Sequence, residues 1–209
     1  MLQNCNCRKI SGGTGKAQYS MYLYFKMPIK KGKMMNEKSR LLLEEFLDQI
    51  PENEKEMFRL LSEQAIALGY FPKKTKSRVF NLDFINSKLK KTILKLGAPD
   101  PKDKESKSGI RLKFYANETY SKVFSDAIQN VIEEYDGRYT GCYGCGRCQN
   151  KPNGYTFIYP DGRKVFRCGS ELIFINGFSS CHLDEARQLM IRQNDFWTGS
   201  HQEYRTAEY

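Results

Sequence analysis

Four cysteines carry the clearest chemical signal in this chain. Cys142, Cys145 and Cys148 recur at three-residue steps, and Cys168 follows twenty positions after the last of them. Gly144 and Gly146 lie between the first three and let the backbone turn tightly, so that neighbouring thiolates can face a single ion. The fourth thiol is supplied by folding. Tyr155-Thr-Phe-Ile-Tyr159 and Lys164-Val-Phe-Arg-Cys168 flank Pro160-Asp-Gly-Arg163, two β-rich runs around a strong turn signal. With Tyr159 facing Lys164 across that turn, Tyr155 faces Cys168, and the hairpin returns Cys168 to the level of the other three.

Four thiolates at this spacing read first as a structural zinc site, because they fill the ion's tetrahedral coordination and leave no open position for catalysis. A [4Fe–4S] cluster or a thiol redox centre on the same residues is the alternative, since three cysteines at two-residue intervals plus a remote one also hold clusters. Locally, Cys145-Gly-Arg-Cys148 and Phe166-Arg-Cys168-Gly169 resemble the two knuckles of a zinc ribbon with one ligand relocated. Ribbons place two ligands on each arm, whereas here three stand on the first and one on the second. The block 139–167 also resembles cysteine-rich bacterial proteins of unassigned function, which implies no activity. Cys181-His182 is a spare ligand pair, read more simply as a helix start.

Basic side chains surround these cysteines. Arg138, Arg147, Lys151, Arg163, Lys164 and Arg167 are interleaved with Tyr139, Tyr143, Tyr155 and Tyr159, the mixture that meets phosphates and stacks on exposed bases. Ordinary outward-facing strand residues would give the same pattern. Nucleophilic catalysis has few candidates, because His182 and His201 are the only histidines, and the reading leans against an enzyme.

The net charge of +10 is unevenly spread. Residues 1–33 hold seven basic and no acidic side chains, and the remainder carries 27 basic against 24 acidic. Polyanion binding by that segment would be salt-sensitive and nonspecific. Its Gly-rich patch, Ser11-Gly-Gly-Thr-Gly-Lys16, fails the phosphate-loop pattern, with Ile10 and Ala17 at the required Gly and Ser/Thr positions. Lys30-Lys-Gly-Lys33 before Met34-Met35 reads like a translated purine-rich ribosome-binding sequence, so residues 1–34 are expected to be disordered or non-native. No membrane-spanning run or signal peptide is legible, and seven cysteines, an odd number, suit a reducing compartment, the cytoplasm.

Periodicity supplies the elements that must position the site. Leu41, Leu42, Phe46 and Leu47, then Met57, Leu60, Leu61, Ala65 and Leu68, predict a helical pair, punctuated by Pro51 and stopped at Gly69. Glu52, Glu54 and Glu56 suit the second helix's dipole and not a catalytic role. The run Lys73-Lys-Thr-Lys76-Ser-Arg78 reads as a linker. Alternation at Phe80, Leu82 and Phe84 and at Ile110, Leu112 and Phe114 predicts strands, with 89–96 as another and Arg111 and Lys113 pointing outward.

Asn117 is expected to cap a helix running from Glu118 to Tyr135 across the sheet's apolar face, leaving room for a small-molecule pocket between them. The segment 171–175 reads as a further strand and 183–197 as a last helix. The expected whole is an α+β chain with a helical pair, a small antiparallel sheet and a covering helix within 35–137. A metal-binding β-hairpin carrying the four cysteine ligands and a C-terminal helix packed on it follow at 138–197, and a tail at 198–209. As function, this predicts a zinc-binding module for nucleic acid or protein, with a redox protein or a small-molecule sensor as alternatives.

Overall fold

The computed structural model describes residues 35–138, 140–146, 148 and 152–199, so the expectations for 1–34 and for the tail beyond 199 lie outside the described residues. The chain is α+β. Helices α1 (Glu37–Leu47) and α2 (Glu52–Ala67) lead into strands β1 (Phe71–Lys74), β2 (Asn81–Asn86), β3 (Lys91–Gly97) and β4 (Gly109–Leu112). Helix α3 (Lys122–Glu133), the hairpin β5 (Gly154–Ile158) and β6 (Lys164–Cys168), the short β7 (Ile173–Phe174) and helix α4 (Leu183–Thr198) complete it.

The five-stranded main sheet is antiparallel in the order β1-β2-β3-β4-β7, and β5 pairs with β6 separately. Leu82 and Phe84 of β2 and Ile110 and Leu112 of β4 are buried, as the alternation predicts. The Asn36 side chain caps α1 by accepting from the Ser39 N–H at 2.8 Å. Gly69, at φ +85°, ends α2, where its own N–H and that of Tyr70 return to the carbonyls of Ile66 and Ala65. A residue with a Cβ is disfavoured in that left-handed position.

Several expectations are corrected. Part of the basic run assigned to a linker is β1, an edge strand, and the edge is where Pro72 costs no ladder hydrogen bond. Helix α3 begins at Lys122, after Ser121, and not at Asn117. The Asn117 side chain is committed elsewhere, donating to the Phe114 carbonyl at 3.0 Å and accepting from Arg192 at 3.3 Å. Lys113 does not point outward; it is buried, and its Nζ donates to the Ser170 carbonyl at 2.9 Å.

Helices α1, α2 and α4 lie against β1, β2 and β3, while α3 packs on the hairpin and on β7. The hinge of that packing is aromatic. Phe114 meets Tyr120, Phe124 and Tyr155 edge-on, with ring centroids 5.1 to 5.4 Å apart. These rings fill the junction between α3, the end of β4 and the hairpin. Because β7 extends the main sheet and α4 packs on α2, the segment after Arg138 shares one hydrophobic core with what precedes it. No helix among the described residues is long and apolar enough to cross a membrane.

Candidate metal centre

The hairpin is built around a short, tightly hydrogen-bonded loop. Gly162 donates to the Tyr159 carbonyl at 2.9 Å and sits at φ +82°, and Tyr159 donates in turn to the Arg163 carbonyl at 2.9 Å. Tyr159 therefore faces Arg163, one residue earlier than expected. Tyr155 pairs with Arg167, and Cys168 pairs with Gly154. The tip is tied back to α3, because the Tyr159 hydroxyl donates to Glu133 at 2.9 Å.

Cys168 ends β6 and is buried. The segment carrying the other cysteines docks beside it. Gly141 donates to the Phe166 carbonyl at 2.7 Å and forms a parallel bridge with Arg167. Cys142 and Cys145 are exposed and Cys148 is half-buried. The backbone N–H of Gly144 approaches Cys142 Sγ at 3.5 Å, and that of Asn153 approaches Cys148 Sγ at 3.3 Å. Gly144 and Gly146 take φ of +60° and +68°, with no atom within 4 Å of where a Cβ would stand. Their role is conformational and not one of close packing.

Cys145, Cys148 and Cys168 line one cavity of about 520 Å³; Cys142 does not reach it. Among the described residues, no three His, Cys, Asp or Glu side chains are gathered tightly enough to hold an ion as they stand. The arrangement is unequal in rigidity. Cys168 is set by the hairpin ladder, whereas Cys142 and Cys145 sit on an exposed, glycine-punctuated loop. The donor set, two N–H···S contacts and free space around the loop fit a thiolate-ligated ion.

Tyr115 forms another part of the cavity wall. Burial pushes its hydroxyl pKa up, the hydrogen bond from Trp197 at 2.7 Å opposes this, and the neighbouring Cys148 and Cys168 add to the rise. Lys90, Lys91 and Lys113 also line the cavity, and none of them stood out in the sequence. Their one local signal is the turn at Asn86, whose Oδ1 accepts from the N–H groups of Lys88 and Leu89.

The basic residues are divided. Arg138, Arg163 and Lys164 are exposed, and the Arg163 guanidinium lies 4.1 Å from the Tyr159 ring centroid. Arg147 and Lys151 fall outside the described residues, as does Tyr139. Arg167 is buried, its Nη2 donating to Glu171 at 3.0 Å, and Tyr155 is buried with it, so neither belongs to an outward face. The register pairs the two on one face of the hairpin, where the expected pairing of Tyr155 with Cys168 would have set them on opposite faces. Cys181 and His182 lie apart from the cavity, in a short turn before α4, where His182 Nδ1 accepts from the Ser179 N–H at 3.2 Å.

No protein-family model, curated protein or solved structure matches this chain.

Proposed function

We propose that this chain is a zinc-binding protein in which Cys142, Cys145, Cys148 and Cys168 form a structural site, and that it acts as a binding module for nucleic acid or protein, nucleic acid being favoured. The observation that carries the metal reading is the meeting of Cys145, Cys148 and Cys168 on one cavity from two separate chain segments. Backbone N–H groups directed at Cys142 and Cys148 support it further. Zinc bound by four thiolates supplies a cross-link and no reaction. Cys142 and Cys145 are exposed while Cys168 is buried, so one ion held by all of them would couple binding to local folding. The four ligand cysteines are thiols and not disulfides, which suits a reducing compartment, the cytoplasm.

Anaerobic purification followed by metal analysis and a visible spectrum tests this reading. One zinc per chain in a colourless protein is expected. A brown, absorbing protein would transfer the same cysteines to an iron–sulfur cluster, and a metal-free chain that takes up neither would overturn both.

The nucleic-acid preference is supported by the exposed Arg138, Arg163 and Lys164 and by Tyr159, over whose ring the Arg163 guanidinium lies. Replacing the three cations by glutamate is expected to weaken single-stranded oligonucleotide binding and to flatten its salt dependence by up to about three contacts' worth. Unchanged affinity would leave protein as the partner.

A further inference from the structure

The cavity that carries the cysteines has a second chemical character. It is about 520 Å³, within the range of roughly 300 to 1,000 Å³ typical of small-molecule sites. Its walls come from distant parts of the chain: Lys90 and Lys91 where β3 begins, Lys113 and Tyr115 just past β4, and Trp197 near the end of α4. Among the described lining residues there are three lysines and no carboxylate.

Lys113 is buried and comes to the cavity with its Nζ donating to the Ser170 carbonyl at 2.9 Å. Lys90, at φ +51°, closes the turn between β2 and β3 and is set at the cavity wall by it. The aromatic part of the wall complements the charge. Trp197 gives its N–H to the Tyr115 hydroxyl at 2.7 Å, so it offers a ligand its ring and not a hydrogen bond. Lys91 Nζ lies over that ring, 5.8 Å from its centroid, so cation and aromatic surface share one part of the wall.

From this juxtaposition we infer that the cavity binds a nucleoside phosphate, with Lys90, Lys91 and Lys113 meeting the phosphate and Trp197 and Tyr115 the planar base. The ligand is either a free mononucleotide or the phosphorylated end of a single strand, which present the same chemistry. The inference deepens the nucleic-acid half of the proposed function and does not depend on its metal half. The same lysines could otherwise serve only to balance the negative charge of metal-bound thiolates, and the experiment separates the two roles.

Trp197 is the only tryptophan, so its emission reports on the cavity directly. The full chain is titrated with AMP, adenosine and inorganic phosphate, exciting where nucleotides do not absorb, and zinc content is measured in parallel. A saturable change with AMP is expected, with adenosine at least about tenfold weaker. The double variant Lys90→Ala, Lys91→Ala is expected to lose about tenfold or more in AMP affinity while keeping its zinc. A 5′-phosphorylated oligonucleotide that displaces AMP, where its 5′-hydroxyl counterpart does not, assigns the site to strand ends; failure to displace assigns it to free nucleotides. The inference is overturned by any of three results: no saturable response to AMP or to the phosphorylated oligonucleotide, undiminished affinity in the double variant, or loss of zinc together with affinity in that variant. Oligonucleotide binding lost on reversing Arg138, Arg163 and Lys164 but kept in the double variant would leave the proposed function standing and remove only this site.

Discussion

Gly154 lies directly opposite Cys168 across the hairpin, and the absence of a side chain at 154 is what lets the two strands close there. A Cβ at that position would run into the Arg167 carbonyl oxygen and come within 2.9 Å of the Gly169 N–H nitrogen. Gly169 is similarly confined, because a Cβ there would stand 2.5 Å from the Tyr115 ring. Cys168 is thus held between two positions that only glycine fits without movement.

Gly154→Ala is expected to destabilise the fold by about 1–3 kcal/mol, since backbone and not a flexible side chain must give way. Thr156→Ala, at an exposed position of the same strand, is expected to stay within about 0.5 kcal/mol. Urea denaturation of the two variants side by side measures the difference, and coincident midpoints would show that the close approach is not constraining.

Tyr155 is fully enclosed, and its hydroxyl accepts from the Phe114 N–H at 3.2 Å. Tyr155→Phe keeps the ring contacts with Phe114 and Tyr115 but removes the acceptor, leaving a buried N–H without that partner. A loss of about 1–3 kcal/mol is expected, read as a shift in denaturant midpoint at unchanged slope. A neutral result would mean that the backbone finds another acceptor.

Arg167 and Glu171 form an unequal pair, with the arginine side chain 4% exposed and the glutamate 60%. Glu171→Gln is expected to cost less than about 1 kcal/mol, because water screens that end of the pair. Arg167→Glu buries a carboxylate beside another and is expected to cost about 3 kcal/mol or more. Thermal melts of both variants distinguish them. Equal effects would place the arginine in water after all. For the same reason, Arg167 is unsuited to charge-reversal tests of polyanion binding.

The Glu44 carboxylate, held by Arg59 through hydrogen bonds of 2.7 and 3.3 Å, has its pKa lowered by that bond first and by the guanidinium charge as well, against a smaller opposing effect of burial. A carboxyl whose folded pKa is depressed contributes stability above its unfolded value, about pH 4.3, and loses it as pH falls through the lowered folded value. Both side chains are more than a third exposed, so the effect is at most about 0.5 kcal/mol. Arg59→Ala should therefore flatten the acid limb of stability slightly while also lowering it at neutral pH. An acid limb identical to that of the parent chain would assign the dependence to other carboxylates.

Much of the architecture was legible because burial imposes a period on the chain. The stripes at Phe46 and Leu47 and at Leu61 and Ala65 and the alternation at Leu82 and Phe84 each match one buried face, so α1, α2 and β2 follow from local pattern, although α1 turns Leu43 inward and leaves Leu41, counted in the stripe, exposed. The β1 strand was hidden because Pro72, Lys73 and Lys74 carry no strand preference. They pair because β2 offers an open edge. Asn117 has the right chemistry for a cap, yet partners more than 70 residues away and at Phe114 claim its side chain first.

By itself the sequence determined the α+β class, the two helices before the sheet, the turn at Pro160 and Gly162, and a set of cysteines at ligand spacing. These follow from short-range rules, namely periodicity, backbone freedom at glycine and ligand chemistry. Tertiary structure alone decided which hairpin residues face inward, since a one-residue difference at the loop pairs Tyr155 with Arg167 in place of Cys168 and puts both on one buried face. It also decided that Lys90, Lys113 and Trp197 share a cavity with Cys168. No local rule relates positions so far apart along the chain; only packing into one core brings their side chains to a common wall.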